Sequence, residues 1–192
     1  MTESDTGLRA RLVDVGVQLV AAEGVQALTL REIARRAGVS HGAPRRYFPT
    51  HRELLSAIAR RGFTELNERV RPALVVDADP RPRLRELARA YLEFALDNPG
   101  MYELMFRHDL LESGNSGLRE TSLPLFALMA DLVGEARPEA DARLVTGALW
   151  ANLHGIAQLW RWNSLQLASG DEDFSLLLDA ALLAHLGPEG GR

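Results

Sequence analysis

The stretch that most constrains this chain is Leu28 to Leu54, LTLREIARRAGVSHGAPRRYFPTHREL, in which three helix starts follow one another in quick succession. Thr29 and Glu32 form a T-x-x-E capping box: the hydroxyl can accept the Glu32 amide hydrogen while the carboxylate reaches back to the Thr29 amide. Leu28 and Ile33 sit at the staple positions just outside and just inside that cap. Gly38 supplies the positive φ that stops a first helix after about two turns, and Ser40 is placed to cap a second helix almost at once. Thr50 and Glu53 repeat T-x-x-E, so the second helix ends near Phe48-Pro49 and a third begins. The pattern is a helix-turn-helix followed by a longer helix.

The side chains projected from this frame are basic. Between residues 31 and 61 there are eight arginines, at 31, 35, 36, 45, 46, 52, 60 and 61, against two acids, Glu32 and Glu53. The helix expected from Ser40 offers His41, Gly42 and Ala43 first, then Arg45, Arg46 and Tyr47. Small residues at a leading end allow close approach to a groove floor, while arginine and histidine can donate to guanine acceptors or phosphate oxygens. A helix N-terminus adds its own attraction for phosphate. Arginines on one helix can equally be plain solvated surface; the capped double turn argues against that reading for the set.

The segment GVSHGAPRRYFPTHRELL resembles the DNA-binding signature of the TetR family of bacterial transcriptional repressors, and the likeness runs from about Leu8 to Phe63. It implies an all-α chain with a three-helix DNA-binding domain over 1–49 and a helical effector-binding and dimerisation domain over 50–192, whose first helix joins the two. By position, it implies that Thr29, Arg31, Ser40, His41, Gly42, Ala43, Arg45, Arg46, Tyr47 and His51 face double-stranded DNA, with Tyr47 on phosphate. Two positions depart from the family: Arg45 stands where tyrosine is common, and His51 where a phosphate-binding lysine is common. Pro44 removes the first intrahelical bond of the expected recognition helix.

Charge is segregated in the same sense. Residues 1–71 hold 12 arginines and 8 acids, whereas residues 72–192 hold 10 arginines and 18 acids, within a net charge of −4. A nucleic-acid-facing end is thus expected on a body that phosphate repels. There is no lysine. With no cysteine, neither a disulfide framework nor a thiolate metal site is possible. No apolar run approaches the length of a membrane span and the polar start MTESDTGLRA is unlike a signal peptide, so a cytoplasmic location and no membrane partner are expected.

Elsewhere the pattern is helical. Leu8, Leu12, Val15 and Leu19 make one stripe of a first helix that Gly24 ends. Leu55, Ala59, Phe63, Leu66 and Val70 line the helix after Thr50, which can run to about Arg71. VVDADPRP is a break; a helix from about Pro82 to Asp97 follows, with Leu84, Leu87, Ala88, Tyr91 and Ala95 on one face, and Asn98-Pro99 restarts another. SGNSG at 113–117 reads as a loop and Leu118 to Val133 as a helix. Pro138 is expected to open the longest helix of the second half, through about Gln166, and a last helix ends at Gly187-Pro188.

In this half Tyr91, Phe94, Tyr102, Met105, Phe106, Phe126, Met129, Trp150 and His154 form the candidate lining of an apolar effector pocket; each can equally be simple core. Trp150, His154 and Gly155 in LWANLHGIAQLW resemble the Trp/His-Gly motif of one TetR subgroup, and NPGMYELMF resembles the helix before its pocket, which implies a small-molecule effector. For His154 a structural hydrogen bond is favoured over ligand contact. Gly147, Ala151 and Gly155 recur every four residues as a smooth ridge for a neighbouring helix, and a palindromic operator demands two recognition elements about 34 Å apart; a homodimer is expected. The expected activity is that of a ligand-responsive repressor released from its operator by a small apolar or amphipathic effector, with no cofactor. The alternative is a helical adaptor or ligand-binding protein that binds no operator. Catalysis is not expected: the five histidines are scattered without metal spacing, the acidic pairs fall in turns or at helix starts, and no phosphate-cradling loop or nucleophile elbow is present.

Overall fold

The computed structural model describes residues 3–74, 79–111 and 117–188. Within them the order is α1 (Glu3–Glu23), a 3₁₀ turn (Val25–Ala27), α2 (Leu30–Arg36), a second 3₁₀ turn (Ala43–Arg46), α3 (His51–Val70) and a third 3₁₀ turn (Arg71–Leu74). There follow α4 (Pro80–Asp97), α5 (Pro99–Phe106), α6 (Leu118–Ala136), α7 (Ala142–Arg161), α8 (Ser164–Ser169) and α9 (Ser175–Leu186). No strand occurs among the described residues. Of the break expected at 75–82, residues 75–78 lie outside those described and Pro80–Pro82 are already helical, so α4 starts two residues before the expected Pro82; the loop expected at 113–117 lies outside them but for Gly117.

Drawn by packing rather than chain order, the protein comprises two units. The first contains residues 1–65 and 98–122, the second 66–97 and 123–192. Helix α3 therefore belongs to the first unit up to Glu65 and to the second from Leu66.

In the first unit, α1 ends where Gly24 takes φ +79°, and its buried face is Leu12, Val13, Gly16, Leu19 and Val20. The expected stripe through Leu8 and Val15 is displaced around the helix, since both are only partly buried. Gly16 explains the shift: a Cβ there would lie 2.3 Å from Ile58 Cδ1, so the missing side chain lets α3 press onto α1 at that point. Helix α5 packs as closely. A Cβ on Gly100 would lie 2.3 Å from the Val20 carbonyl oxygen, and one on Gly62 of α3 would lie 2.6 Å from Met101 Cγ. Phe63, Phe106 and Tyr102 close the layer edge to face, with ring centroids 5.8 and 4.9 Å apart. Arg52 donates to the carbonyls of Asp109 and Leu111 at 3.1 and 3.2 Å, satisfying backbone acceptors after α5.

The second unit is built on α4, α7 and α9. The apolar face expected of α4 is buried from Leu84 through Ala95, and Leu66 and Val70 at the end of α3 are buried as expected. Helix α7 starts later and ends earlier than its sequence suggests. Asp141, not Pro138, caps it by accepting the amides of Arg143 and Leu144, both at 3.1 Å; a carboxylate there satisfies two orphan donors and complements the helix dipole. Asn163 then takes the left-handed conformation at φ 58°, which asparagine tolerates and which terminates α7 short of Gln166. Arg85 grips Asp179 in two parallel hydrogen bonds of 2.7 and 3.1 Å, tying α4 to α9.

Candidate functional site

The basic segment after α2 is held by its backbone. Thr29 Oγ1 accepts the Glu32 amide at 3.2 Å and starts α2. Gly38 takes φ +66°, and the amide of Val39 returns to the carbonyl of Ala34 at 3.0 Å. Thr50 Oγ1 accepts the Glu53 amide at 3.1 Å and starts α3.

Between these caps the expected recognition helix is replaced by a tighter element. Ser40 does not act as its cap: residues 41–42 form a turn, Gly42 precedes the first 3₁₀ residue, and no side chain caps it. The physical reason is Pro44. An α-helix starting at Ser40 needs the residue-44 amide to bond the Ser40 carbonyl, and proline has no such hydrogen. The Ser40 carbonyl accepts from Ala43 instead at 3.0 Å, and the Pro44 carbonyl accepts from Tyr47 at 3.0 Å and Phe48 at 2.9 Å. The first two bonds span three residues, the spacing of a 3₁₀ turn.

That turn is rooted by burial of Pro44 and Phe48, which leaves Ser40, His41, Gly42, Arg45 and Arg46 exposed, with Ala43 and Tyr47 partly so. The eight arginines now divide. Arg35 and Arg36 converge on Glu32, at 2.7 and 2.6 Å, and Arg36 also pairs with Glu23 of α1. These hydrogen bonds, that of Arg35 first, hold the Glu32 carboxyl down at about 2. Arg52 is spent on backbone carbonyls, and Arg61 lies 3.5 Å from Asp14. By contrast, Arg31, Arg45, Arg46 and His41 make no ion pair or hydrogen bond among the described residues. Exposed guanidinium groups without a carboxylate keep their donors for a phosphate or a base edge. His51 is more committed than its position suggested, because its Nε2 bonds the carbonyl of Leu28 and so braces the start of α3 against the start of α2. Thr29, likewise, is occupied as a cap.

The expected effector residues separate by unit. Tyr102, Met105 and Phe106 belong to the first unit, where they pack beside Phe63 and Gly62. Tyr91, Phe94, Phe126, Met129, Trp150 and His154 belong to the second. There the Trp150 indole donates to Tyr91 Oη at 3.2 Å, and Tyr91 Oη lies 3.2 Å from His154 Nδ1. Indole can only donate, so Tyr91 Oη accepts from Trp150, and the direction of its bond with His154 Nδ1 follows the imidazole tautomer. Burial lowers the His154 pKa below the usual 6.5. Phe126 meets Trp150 edge to face at 6.3 Å. Sequence reasoning had no means of finding Thr146, one turn before Trp150, whose hydroxyl is fully buried and lacks a hydrogen-bond partner.

Two family models cover most of the chain. Residues 12–58 match that of bacterial regulatory proteins of the tetR family, and residues 84–182 match the tetracyclin repressor-like C-terminal domain. The chain belongs to the TetR family. As a TetR regulator it is a DNA-binding transcription factor and not an enzyme. A solved structure of a protein with unknown function from Rhodococcus sp. RHA1 superposes with a TM-score of 0.78 at 29% identity, covering 93% of each chain. The nucleoid occlusion factor SlmA of Marinobacter nauticus is 25% identical over 74% of this chain and 73% of its own. The HTH-type transcriptional activator FasR of Mycolicibacterium smegmatis is 33% identical over 53% of this chain, and the match spans about half of FasR, 46%. Among the described residues no helix is long and apolar enough to cross a membrane.

Proposed function

We propose that this TetR regulator is a homodimeric repressor whose operator contacts come from Arg31, His41, Arg45 and Arg46, with Ser40, Gly42, Ala43 and Tyr47 shaping the approach to the groove. The observation that carries the reading is that the exposed Arg31, Arg45 and Arg46 have no acidic partner among the described residues, while neighbouring Arg35 and Arg36 are paired with Glu32 and Glu23. Thr29 and His51 serve this surface by positioning it.

Support for the dimer lies on α7 and α9. A Cβ on Gly147 or Gly155 would meet nothing within 4 Å, so the ridge expected from the sequence lies open. A groove of about 500 Å³ beside it is lined by Gly155, Ile156, Leu159, Leu177 and Ala181. Leu144, Leu176 and Leu183 are exposed at 73%, 64% and 58%. Apolar surface of this kind is what a helix pair from a second copy would cover.

The effector reading rests on the hydrogen-bonded Tyr91–Trp150–His154 cluster with Phe126 against Trp150, whose mix of aromatic and polar groups suits a small amphipathic molecule. Because α3 is shared by both units, repacking around Leu66 and Val70 would be carried along its backbone toward the Thr50 cap. Effector and operator would then oppose each other through a coupling free energy of about 1–3 kcal/mol.

The test is a gel shift with DNA from upstream of the protein's own gene, at two salt concentrations, with unrelated DNA as competitor. Specific binding that weakens with salt and disappears in an Arg45→Ala/Arg46→Ala variant that remains folded is expected; unchanged binding by that variant would sink the assignment. The repressor direction is read separately: deleting the gene should raise transcription from the bound promoter, whereas a fall would make the protein an activator.

A further inference from the structure

A concave polar surface of the first unit is used neither by the operator reading nor by the effector cluster. It is a pocket of about 250 Å³ formed by α1 and α3 and lined by Arg9, Asp14, Ala57, Arg60, Arg61 and Thr64. Arg9, Arg61 and Asp14 supply its charged groups, while Arg60 Nη1 lies beside Gly117. The carboxylate is a weak neutraliser: Asp14 lies 3.5 Å from Arg61, and both side chains are more than half exposed, the situation in which an ion pair contributes least. Arg9 has no acidic partner among the described residues; its guanidinium lies over the ring of Phe48, 4.9 Å from the centroid. Thr64 spends its hydrogen on the Arg60 carbonyl at 3.0 Å, so its oxygen can accept only from a protonated oxyanion such as hydrogen phosphate. The floor, Val13 and Ala57, is apolar and buried.

The geometry points to a binding site for a tetrahedral oxyanion, held between Arg9 of α1 and Arg61 of α3. Arginine forks match the paired oxygens of a phosphate group and give charge-assisted hydrogen bonds. The volume admits a phosphate-sized group with its water. Arg9 links this pocket to the DNA-facing turn through Phe48, the buried residue that roots that turn. Drawing the Arg9 guanidinium toward an anion would loosen its hold on the ring, so occupancy is expected to be felt at Ala43–Arg46. The phosphate group has two sources, a free phosphorylated solute or a backbone phosphate of DNA flanking the operator, and the site does not depend on the effector cluster or on Arg45 and Arg46.

The full-length protein is titrated with inorganic phosphate against chloride at matched ionic strength, following thermal unfolding and amide chemical shifts. The proteins compared are the wild type, Arg61→Gln, Asp14→Asn and, as a control for general charge, Arg119→Gln. A free-phosphate site predicts saturable stabilisation and shifts confined to the α1/α3 walls, weakened about tenfold in Arg61→Gln, strengthened in Asp14→Asn and unchanged in Arg119→Gln. In the second arm the same proteins bind operator DNA across a salt series. A backbone-phosphate site predicts that Arg61→Gln lowers the salt slope by about one relative to Arg119→Gln while sequence preference is retained. Either pattern supports the site and names its source. If phosphate acts no differently from chloride, and Arg61→Gln matches Arg119→Gln in both arms, the site does not exist, whether or not the operator is bound.

Discussion

Glu32 shows what one residue does in this unit. Its carboxylate accepts from Arg35 and Arg36 together, and Arg36 reaches on to Glu23, so a short charged chain ties α2 to α1. Because the folded carboxyl titrates at about 2 against a reference of 4.5, the unfolded chain takes up its proton first on acidification. The contribution of this cluster is complete above about pH 4.5 and is lost as pH falls toward 2. A carbon-13 titration should place the Glu32 midpoint near 2, and a midpoint near 4.5 would contradict the cluster. His154 behaves in the same direction for another reason. Burial lowers its pKa below 6.5, so acidification protonates the unfolded chain before the folded one, and stability falls as pH drops below about 6.5. Replacing Tyr91 with phenylalanine removes the hydroxyl that Trp150 Nε1 and His154 Nδ1 share, at a cost of about 1–3 kcal/mol in urea unfolding. A variant as stable as wild type would show that the three groups do not depend on one another. Thr29, Gly38 and Thr50 were readable from sequence because a cap is closed within three or four residues. The Tyr91–His154 contact was not, since it joins side chains 63 positions apart.

At the level of elements, the recognition segment is where local rule and structure diverge. Ser40 is a good cap in isolation, yet Pro44 withholds the hydrogen that an α-helix begun there requires, and a 3₁₀ turn over Ala43–Arg46 results. Replacing Pro44 with alanine should restore the bond to the Ser40 carbonyl, visible as a slowed amide exchange at residue 44, and should weaken operator binding by re-aiming Arg45 and Arg46. Retained affinity with a slowed amide would show that the turn geometry is irrelevant to DNA. Helix α5 makes the opposite point. Its fit to α1 depends on Gly100, where a Cβ would strike the Val20 carbonyl oxygen, and Gly100→Ala is expected to cost about 1–3 kcal/mol of stability by chemical denaturation. The periodicity of NPGMYELMF announces a helix but says nothing of which unit receives it, so Tyr102, Met105 and Phe106 were grouped with the effector residues rather than with α1 and α3.

For the whole molecule the question is which surfaces meet another molecule. Gly147 and Gly155 have open space in front of them inside a helix, where glycine lowers helix stability by about 1 kcal/mol relative to alanine. In an isolated chain, therefore, Gly147→Ala and Gly155→Ala should be neutral or stabilising. In the proposed dimer they stand in the ridge, and the double variant should dissociate more readily on sedimentation while each chain stays folded. A double variant that is both more stable and equally dimeric would remove the ridge from the interface. Leu176→Asp with Leu183→Asp should separate the copies outright and, with them, abolish binding to a palindromic site while leaving weak half-site binding.

By itself the sequence determined the helical class, the Thr29 and Thr50 caps on either side of the basic segment, the buried stripes of α3 and α4, and the residues that resemble a TetR DNA reader. All of these depend on hydrogen bonds and periodicities that close within one or two turns. Only the tertiary structure decided which arginines remain unpaired, because Glu23, Glu32, Asp14 and the carbonyls after α5 compete for them across the first unit. It also decided that α5 packs with α1 and α3, that Asp141 and Asn163 rather than Pro138 and Gln166 bound α7, and that Arg9 and Arg61 face the same pocket. Those outcomes rest on contacts between segments distant in the chain, where the packing of a neighbour rather than any local propensity sets the free energy.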